Sequence, residues 1–148
     1  MTAIHPAYLA GIIDGEGSIM MVHSGRSMMN GMYTSWTARV QIANTDLSLL
    51  EAIQESYGGN IELHSKECEV KNWKAGYRLV WKGPRGIAIC EIIRPYLIVK
   101  TNQARILMAA MKMREAEGGK GKRKSEALVL HLNDCVLQIR ALNKRGLK

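Results

Sequence analysis

Alternating apolar and polar residues mark the strands of this chain. Between residues 35 and 42 the alternation is regular, with four apolar side chains on one face and four polar side chains on the other. Because successive side chains of a strand point to opposite faces, this segment is predicted to be a half-buried antiparallel strand. Weaker alternation predicts further strands at about 18–26, 61–66 and 74–82, a turn bracketed by Gly25 and Gly31, and a polar turn near 68–72.

Apolar residues at helical spacing predict five helices. The first, at about 6–14, begins with Pro6, whose missing N–H would be unpaired in a first turn anyway, and is ended by Gly15 and Gly17. The second is predicted to run from a cap at Thr45 or Asp46 to Gly58, and the third is a short helix after Gly83-Pro84 that is stopped by Pro95. The fourth is predicted to begin at a cap at Thr101 or Asn102, and the fifth to run from about 125 to 143.

This order of elements is αββαββα with helices appended, and the first helix is not repeated along the chain. Helices packed on one face of a four-stranded antiparallel sheet would leave the other face open to water or to a ligand. We therefore expect an α+β fold in a single domain spanning 1–148, with a core at about 5–117, a basic loop at 118–124 and a C-terminal helix at about 125–143.

The composition supports a self-sufficient core. With 47% hydrophobic residues among 148, the chain is long enough to bury about two-thirds of its unfolded surface. No apolar stretch reaches the roughly 20 residues of a membrane span and no secretory signal is evident, so we expect an intracellular protein, in a bacterial cytoplasm or an organelle. Cys68, Cys90 and Cys135 form no C-x-x-C pair and are expected to be core residues rather than metal ligands.

The charge of the chain is basic and unevenly distributed. The net charge is +8; residues 1–100 hold 10 basic and 9 acidic residues, whereas 101–148 hold 11 and 4. Basic side chains near phosphates release counterions on binding, so nucleic acid is the first candidate partner, and a solvated surface is the alternative. We expect Arg105, Lys112, Arg114 and the run 120–124 to contact phosphate or to remain in solvent.

The end of the first helix carries the candidate chemistry. Gly11 and Gly15 lie four residues apart on one side, where they would let another helix approach closely. Asp14 and Glu16 lie at the C-terminal end, where the helix dipole makes carboxylates unfavourable. A bound cation would explain them, because magnesium prefers oxygen ligands such as the Glu16 carboxylate and the exposed carbonyl of Gly15. A solvated turn is the alternative.

The segment LAGIIDGEG at 9–17 resembles the signature of the LAGLIDADG homing endonucleases. Further on, PYLIVK at 95–100, followed by Gln103 and Ala104, resembles a later segment of that family whose lysine lies near the active site. The order of elements also agrees, so the resemblance covers roughly residues 5–117. It implies one αββαββα half of a homodimer, whose four-stranded sheets form a saddle on double-stranded DNA.

The resemblance also implies the chemistry. Glu16 matches the acidic residue that binds divalent metal, Mg²⁺ with Mn²⁺ as a substitute, beneath the scissile phosphates. Lys100 matches the basic residue that stabilises negative charge or helps to organise the attacking water. Two such helices side by side would bring two Glu16 carboxylates together, and that symmetry suits a duplex cut on both strands. No organic cofactor or membrane partner is expected. The implied dimer interface comprises Tyr8, Gly11, Ile12 and Gly15.

Several positions near the implied site depart from the family pattern or have two possible roles. Asn44 falls where related enzymes often carry a glutamine, and it either holds a metal-linked water or caps the following helix. Ser48 falls where some relatives carry a basic residue, which leaves the proton network of the site open. Glu16 replaces the aspartate of many members with a longer carboxylate, and Asp14 is expected to be structural at the helix junction.

The polar face of the sheet is the proposed reader of DNA, because a β surface fits the major groove, where base edges present distinguishable donors and acceptors. By alternation this face comprises Ser24, Arg26, Ser35, Thr37, Arg39, Gln41, Glu62, His64, Lys66, Lys74 and Arg78. The resemblance thus implies a site-specific endonuclease acting on a long pseudo-palindromic site. The rivals are a non-cleaving maturase or DNA-binding regulator on the same scaffold, and a basic α+β interaction protein that merely dimerises.

Overall fold

A computed structural model of the chain describes residues 3–28, 31–71, 74–118 and 124–144, and between 26 and 34 it describes the backbone alone. The order of elements is αββαββα followed by two further helices, which confirms the predicted α+β architecture. The elements are α1 (Pro6–Glu16), β1 (Gly17–Met28), β2 (Gly31–Asn44), α2 (Leu47–Tyr57), β3 (Asn60–Ser65), β4 (Gly76–Lys82), α3 (Pro84–Ile93), a 3₁₀ turn (Arg94–Tyr96), α4 (Thr101–Ala116) and α5 (Glu126–Asn143).

The strands form one antiparallel sheet in the order β1-β2-β4-β3. Paired residues share a face, and Val40 of β2 lies between Ile19 of β1 and Trp81 of β4. All three side chains are buried beneath the helices, so the alternation of 35–42 was interpreted correctly. The opposite face, which we call the open face, is not covered by the helices. Within the described ranges, no helix combines the length and apolarity needed to cross a membrane.

The core lies between the sheet and the helices and joins residues from all nine of the strands and α-helices except β3 into one apolar cluster. Trp36 and Trp81 are its largest fully buried side chains. Cys90 and Cys135 are buried in this cluster, as the sequence predicted, whereas Cys68 is only half-buried. Burial raises the pKa of Cys90 to about 12, so its thiol stays protonated at neutral pH.

Several predicted boundaries were wrong because glycine is tolerated inside regular elements when tertiary contacts support them. Helix α1 continues through Gly15 to Glu16 and ends only at Gly17. Strand β1 continues past Gly25 to Met28, and residues 29–30 of the region predicted to turn between Gly25 and Gly31 lie outside the described residues. Most of the predicted basic loop likewise lies outside them, at 119–123.

The N-terminal ends of α2 and α4 differ in whether a side chain caps the helix. Asp46, one of two predicted caps, accepts a hydrogen bond from the Leu49 N–H at 3.3 Å. At α4 the cap position is Lys100, with no side-chain cap bond, rather than Thr101 or Asn102. Thr101 is the first helical residue, and its hydroxyl donates to the Leu97 carbonyl at 3.1 Å.

A buried polar network ties α4 and α5 to the sheet. The Trp36 indole N–H donates to Asn133 Oδ1 of α5 at 3.1 Å, and Arg114 of α4 donates through Nη1 to the Trp36 carbonyl. Arg114 also pairs with Glu115 at 2.9 Å, and only 12% of its side chain is exposed. The expectation that Arg114 contacts phosphate or stays in solvent was therefore wrong, because a carbonyl of the sheet requires its donor.

Gly17 is required where α1 turns into β1. A Cβ at this position would lie 2.7 Å from Ile13 Cα and 3.0 Å from the carbonyl oxygen of Gln41, both backbone atoms. We expect Gly17→Ala to lower the free energy of unfolding by about 1–3 kcal/mol, as overpacking does. Urea unfolding of monomeric protein would measure it, with Gly15→Ala as control because a Cβ there meets nothing within 4 Å. Equal midpoints for the two variants would contradict this reading.

Candidate active site and nucleic-acid interface

Glu16 is the last residue of α1, and its side chain is exposed at the junction with β1. Asn44, the last residue of β2, donates from Nδ2 to Glu16 Oε2 at 2.7 Å. The end of the helix and the end of the neighbouring strand therefore meet at this carboxylate. The hydrogen bond orients the carboxylate but leaves it accessible, which suits an oxygen ligand for a cation.

Asn44 does not cap α2, which was one of its two predicted roles. Its Oδ1 accepts the backbone N–H of Asp46 at 2.8 Å, and Asp46 is the cap residue. Ser48 donates to Asp46 Oδ1 at 2.6 Å, and this hydrogen bond is the largest cause of the lowered pKa of Asp46. Glu16, Asn44, Asp46 and Ser48 thus form one continuous chain of polar contacts. The prediction that Asn44 holds a metal-linked water stays a prediction.

Asp14 and Lys100 hold each other across the site. The Asp14 carboxylate accepts the backbone N–H of Ile98 at 2.8 Å and that of Lys100 at 3.0 Å. In return, Lys100 Nζ donates to the Asp14 carbonyl at 2.6 Å. The Lys100 ammonium group therefore lies at the negative end of the α1 dipole. Its positive charge offsets the unfavourable position of the Asp14 and Glu16 carboxylates there. This arrangement gives Asp14 the structural role that the sequence suggested.

Replacing Asp14 by Asn is expected to open this contact, because an amide offers one acceptor oxygen where the carboxylate offers two. The amide protons of Ile98 and Lys100 should shift upfield and exchange faster, and the free energy of unfolding should fall by about 1–2 kcal/mol. NMR and urea unfolding would measure these changes. Asp134→Asn is the control, because Asp134 accepts only a side-chain bond from Gln138. Unchanged amide resonances in Asp14→Asn would argue against the contact.

The C-terminal helix reaches the same site, which the sequence analysis missed. Gln103 of α4 is buried and donates to Asn143 Oδ1 at 3.3 Å, while Asn143 donates to the Ile19 carbonyl at 3.0 Å. The sequence did offer one sign that Gln103 is buried, because it is a polar residue within the apolar stripe of α4. A cleft of about 280 Å³ opens beside these residues, lined by Asp14, Gly15, Gly17, Ser18, Val99, Lys100, Gln103, Leu142, Asn143 and Lys144.

The oxygen donors at this site fit a hard divalent cation, but one chain supplies few of them. Glu16 offers a carboxylate, and the Gly15 carbonyl lies in the last turn of α1, where carbonyls have no N–H of their own helix to accept. Nowhere in the described ranges do three or more His, Cys, Asp or Glu side chains cluster as a metal site. A complete ligand set would therefore need water, phosphate oxygens or a second chain.

One face of α1 has no close neighbour among the residues that the structure describes. A Cβ added to Gly11 or Gly15 would meet nothing within 4 Å, and Tyr8 on the same side is 53% exposed. Ile12 beside them is half-buried. The predicted interface residues thus share one accessible helix surface, and its two glycines would let a second helix approach closely.

Among the open-face side chains that the structure describes are two arginines, each bound to a neighbouring side chain. Arg39 Nε donates to Gln41 Oε1 at 2.9 Å within β2. Arg78 Nε of β4 donates to Glu62 Oε2 of β3 at 2.9 Å, and this bond is the largest cause of the lowered pKa of Glu62. Lys82 lies 4.0 Å from the same carboxylate and shares the face, although the sequence analysis left it out of the predicted reader. The face is polar and basic, as predicted.

The remaining predicted reader residues divide into two groups. Ser24 and Ser35 pair across β1 and β2, with their hydroxyls 2.9 Å apart, and Thr37 of β2 is paired with Val22. Arg26 belongs to β1, but its side chain lies outside the described part. The positions that do not follow the predicted strand face are His64, at a bulge between Leu63 and Ser65, and Lys66 and Lys74, which lie beyond the ends of β3 and β4.

The corrections at His64 and Lys66 have one cause, whereas Lys74 simply precedes β4. The bulge lets Ser65, rather than the predicted His64 or Lys66, pair opposite Gly76, which is two residues from Arg78 and on the same face. A bulge inserts an extra residue and shifts the alternation of one strand against the other. A uniform period of two carried through such a point assigns every later side chain to the wrong face.

Comparison with known proteins agrees with the motif and the fold. The model of the LAGLIDADG endonuclease family matches residues 9–80. No curated protein matches the chain by sequence. Among solved structures, the homing endonuclease I-CvuI in complex with its target is 17% identical with a TM-score of 0.70, covering 97% of this chain and 83% of that one.

Two further structures show how much of a relative this chain represents. The archaeal intron-encoded homing endonuclease I-Vdi141I, complexed with DNA, is 17% identical with a TM-score of 0.71, over 97% of this chain and 86% of that one. The LAGLIDADG homing endonuclease I-GzeII, in complex with a DNA target, is 20% identical with a TM-score of 0.64, over 99% of this chain but 47% of that one. At these identities the likeness concerns the fold. In its signature at 9–17, in the match of the family model over 9–80 and in its fold, this chain is similar to the LAGLIDADG endonucleases.

Proposed function

We propose that this protein is a site-specific DNA endonuclease that hydrolyses both strands of a long pseudo-palindromic site as a homodimer, using Mg²⁺ or Mn²⁺. The observation that carries the proposal is the exposed Glu16 carboxylate at the end of α1, beside two glycines at which an added Cβ would meet nothing within 4 Å in the described part of the chain. The likeness to the LAGLIDADG endonucleases supports nuclease activity. The cation, the dimer and the cleaved site are inferences from the residues of this chain.

The residues around Glu16 have separable roles in this proposal. Glu16 and the Gly15 carbonyl bind the cation, and Asn44 holds the carboxylate in one orientation through its 2.7 Å hydrogen bond. A divalent cation, when bound, supplies positive charge beside the scissile phosphate and so stabilises the transition state of phosphodiester hydrolysis. Lys100, held against the end of α1 by Asp14, adds positive charge for the developing negative charge of the phosphate.

Symmetry supports the homodimer. A duplex has two strands related by local two-fold axes, and a two-fold dimer brings one Glu16 to each. Contact through the α1 surface that contains Gly11 and Gly15 would bring the two Glu16 carboxylates near each other, since Glu16 lies one residue beyond Gly15 on that helix. The chain also spans 47% of I-GzeII, so that two copies would match its length. The open faces of two sheets would then form one continuous basic surface.

The decisive experiment is selection of cleaved sites from a randomised duplex library in Mg²⁺, with Mn²⁺ and EDTA arms. We expect enrichment of one sequence with an approximate two-fold axis, cleaved in both cation arms and intact in EDTA. Sequence-specific binding without cleavage would instead favour a DNA-binding regulator. Tight binding to structured RNA without DNA cleavage would favour a maturase. Absence of any nucleic-acid binding would leave a protein that merely dimerises.

A further inference from the structure

Arg39 and Arg78 on the open face are held in the same way. In Arg39 the Nε–H is engaged by Gln41, and in Arg78 it is engaged by Glu62, each at 2.9 Å. A guanidinium can meet a base through Nε with one terminal nitrogen, or through its two terminal nitrogens. Because Nε is engaged in both residues, the second geometry remains. That geometry matches the O6 and N7 acceptors of guanine in the major groove.

We propose that Arg39 and Arg78 each read a guanine in the half-site, while Gln41 and Glu62 orient them and read no base themselves. This inference rests on the proposed function, because it assumes that the open face lies in the major groove of DNA. Side-chain types alone would suggest a different pattern, in which Gln41 pairs with adenine and Glu62 with cytosine. The proposal assigns neither residue a base.

Burial on the open face supports a prearranged surface. Val80 lies on this face, opposite Gln41 in β2 and Asn60 in β3, yet it is only 3% exposed. It is not part of the core cluster beneath the helices. The described helices pack on the other face, so we infer that neighbouring open-face side chains contribute to the burial of Val80. Long polar side chains held flat in this way lose little further freedom on binding, which favours specific recognition.

The register of the sheet predicts the spacing of the two guanines. Arg39 pairs with Lys82, whereas Arg78 pairs with Ala43, so the arginines are offset by four residues along β2. At about 3.3 Å per residue the offset is roughly 13 Å along the strands. Successive bases rise by about 3.4 Å, so strands that follow the groove would place the two guanines about three to five steps apart.

Binding selection from a randomised duplex library in Ca²⁺ tests the proposal without requiring cleavage. The wild-type protein should select guanine at two positions per half-site, with the predicted spacing. Arg39→Ala and Arg78→Ala should each abolish the preference at one of them, from on the order of tenfold to less than twofold. Gln41→Met and Glu62→Met should weaken the preference at the same two positions. Lys74→Ala, exposed and outside the strands, should lower affinity for all sequences alike.

Three results would overturn the proposal while leaving the proposed function intact. The selected sites could lack guanine at positions that respond to the arginine variants. The arginine variants could weaken binding uniformly, as phosphate contacts do. Gln41→Met or Glu62→Met could change the preference at a position of its own, which would make that residue a reader. If the wild-type protein selects no sequence at all, the proposed function fails as well, and the two failures are therefore distinguishable.

Discussion

Glu16→Gln is expected to lower the rate of DNA cleavage by about three orders of magnitude while leaving DNA binding within a factor of a few. Glutamine retains an oxygen that can accept the hydrogen bond from Asn44 Nδ2, so the junction of α1 and β1 should keep its shape. The negative charge that binds the cation is lost. Stabilisation by a metal ion amounts to several kcal/mol in the transition state, and about 4 kcal/mol corresponds to this factor.

The measurement is single-turnover cleavage of the selected site in Mg²⁺, together with DNA affinity in Ca²⁺ by fluorescence anisotropy. Glu55→Gln is the matched control, because it removes one carboxylate from an exposed position of α2. It should cleave at the wild-type rate. If Glu16→Gln cleaves within about tenfold of the control, Glu16 is not the metal-binding carboxylate. A parallel loss of affinity and rate would indicate a damaged binding surface instead.

Gly11→Leu is expected to separate the dimer without harming the single chain. A Cβ at Gly11 meets nothing within 4 Å in the chain, and leucine has a higher helix propensity by about 0.5–1 kcal/mol. Between two helices in close contact, however, an added side chain costs about 1–3 kcal/mol, and a two-fold interface contains two of them. The dissociation constant of the dimer should rise on the order of a hundredfold or more.

Sedimentation equilibrium over a range of concentrations would measure this change, and thermal unfolding would show that the monomer is intact. Ala127→Leu adds the same side chain to an exposed position of α5 and should remain a dimer. Double-strand cleavage should fall with dimer population in Gly11→Leu only. A Gly11→Leu protein that sediments as a dimer, or a wild-type protein that stays monomeric on DNA, would exclude α1 as the interface.

Local patterns were sufficient for most of the fold. The alternation of 35–42 identified β2 and its buried face, because in a half-buried strand every second side chain is in the core and tends to be apolar. Asp46 was recognised as a possible cap of α2 from its position alone. The motif at 9–17 placed Glu16 at the end of α1. Boundaries were less well predicted, since Gly15 and Gly25 lie inside elements that they were expected to end.

The contacts of the site were not predictable, because they join residues far apart in sequence. Asp14 and Lys100 are separated by 86 residues, and Glu16 and Asn44 by 28. Arg114 shows the same limit. Its type and its neighbours in the sequence predict a solvent-exposed basic residue. In the structure it donates to the carbonyl of Trp36, 78 residues away. Periodicity describes which way a side chain faces within its own element and contains no information about its partner.

By itself, then, the sequence determined the class of fold and the likeness to the LAGLIDADG endonucleases, and it predicted Glu16 as the metal-binding carboxylate, because these inferences depend on local periods and on one contiguous motif. Only the tertiary structure decided that Asp14 holds Lys100, that Asn44 orients Glu16, and that a bulge after Leu63 removes His64 and Lys66 from the regular strand face. It also paired Arg39 with Gln41 and Arg78 with Glu62. Such choices depend on distances of a few ångströms between elements, which are set when the helices and strands pack together.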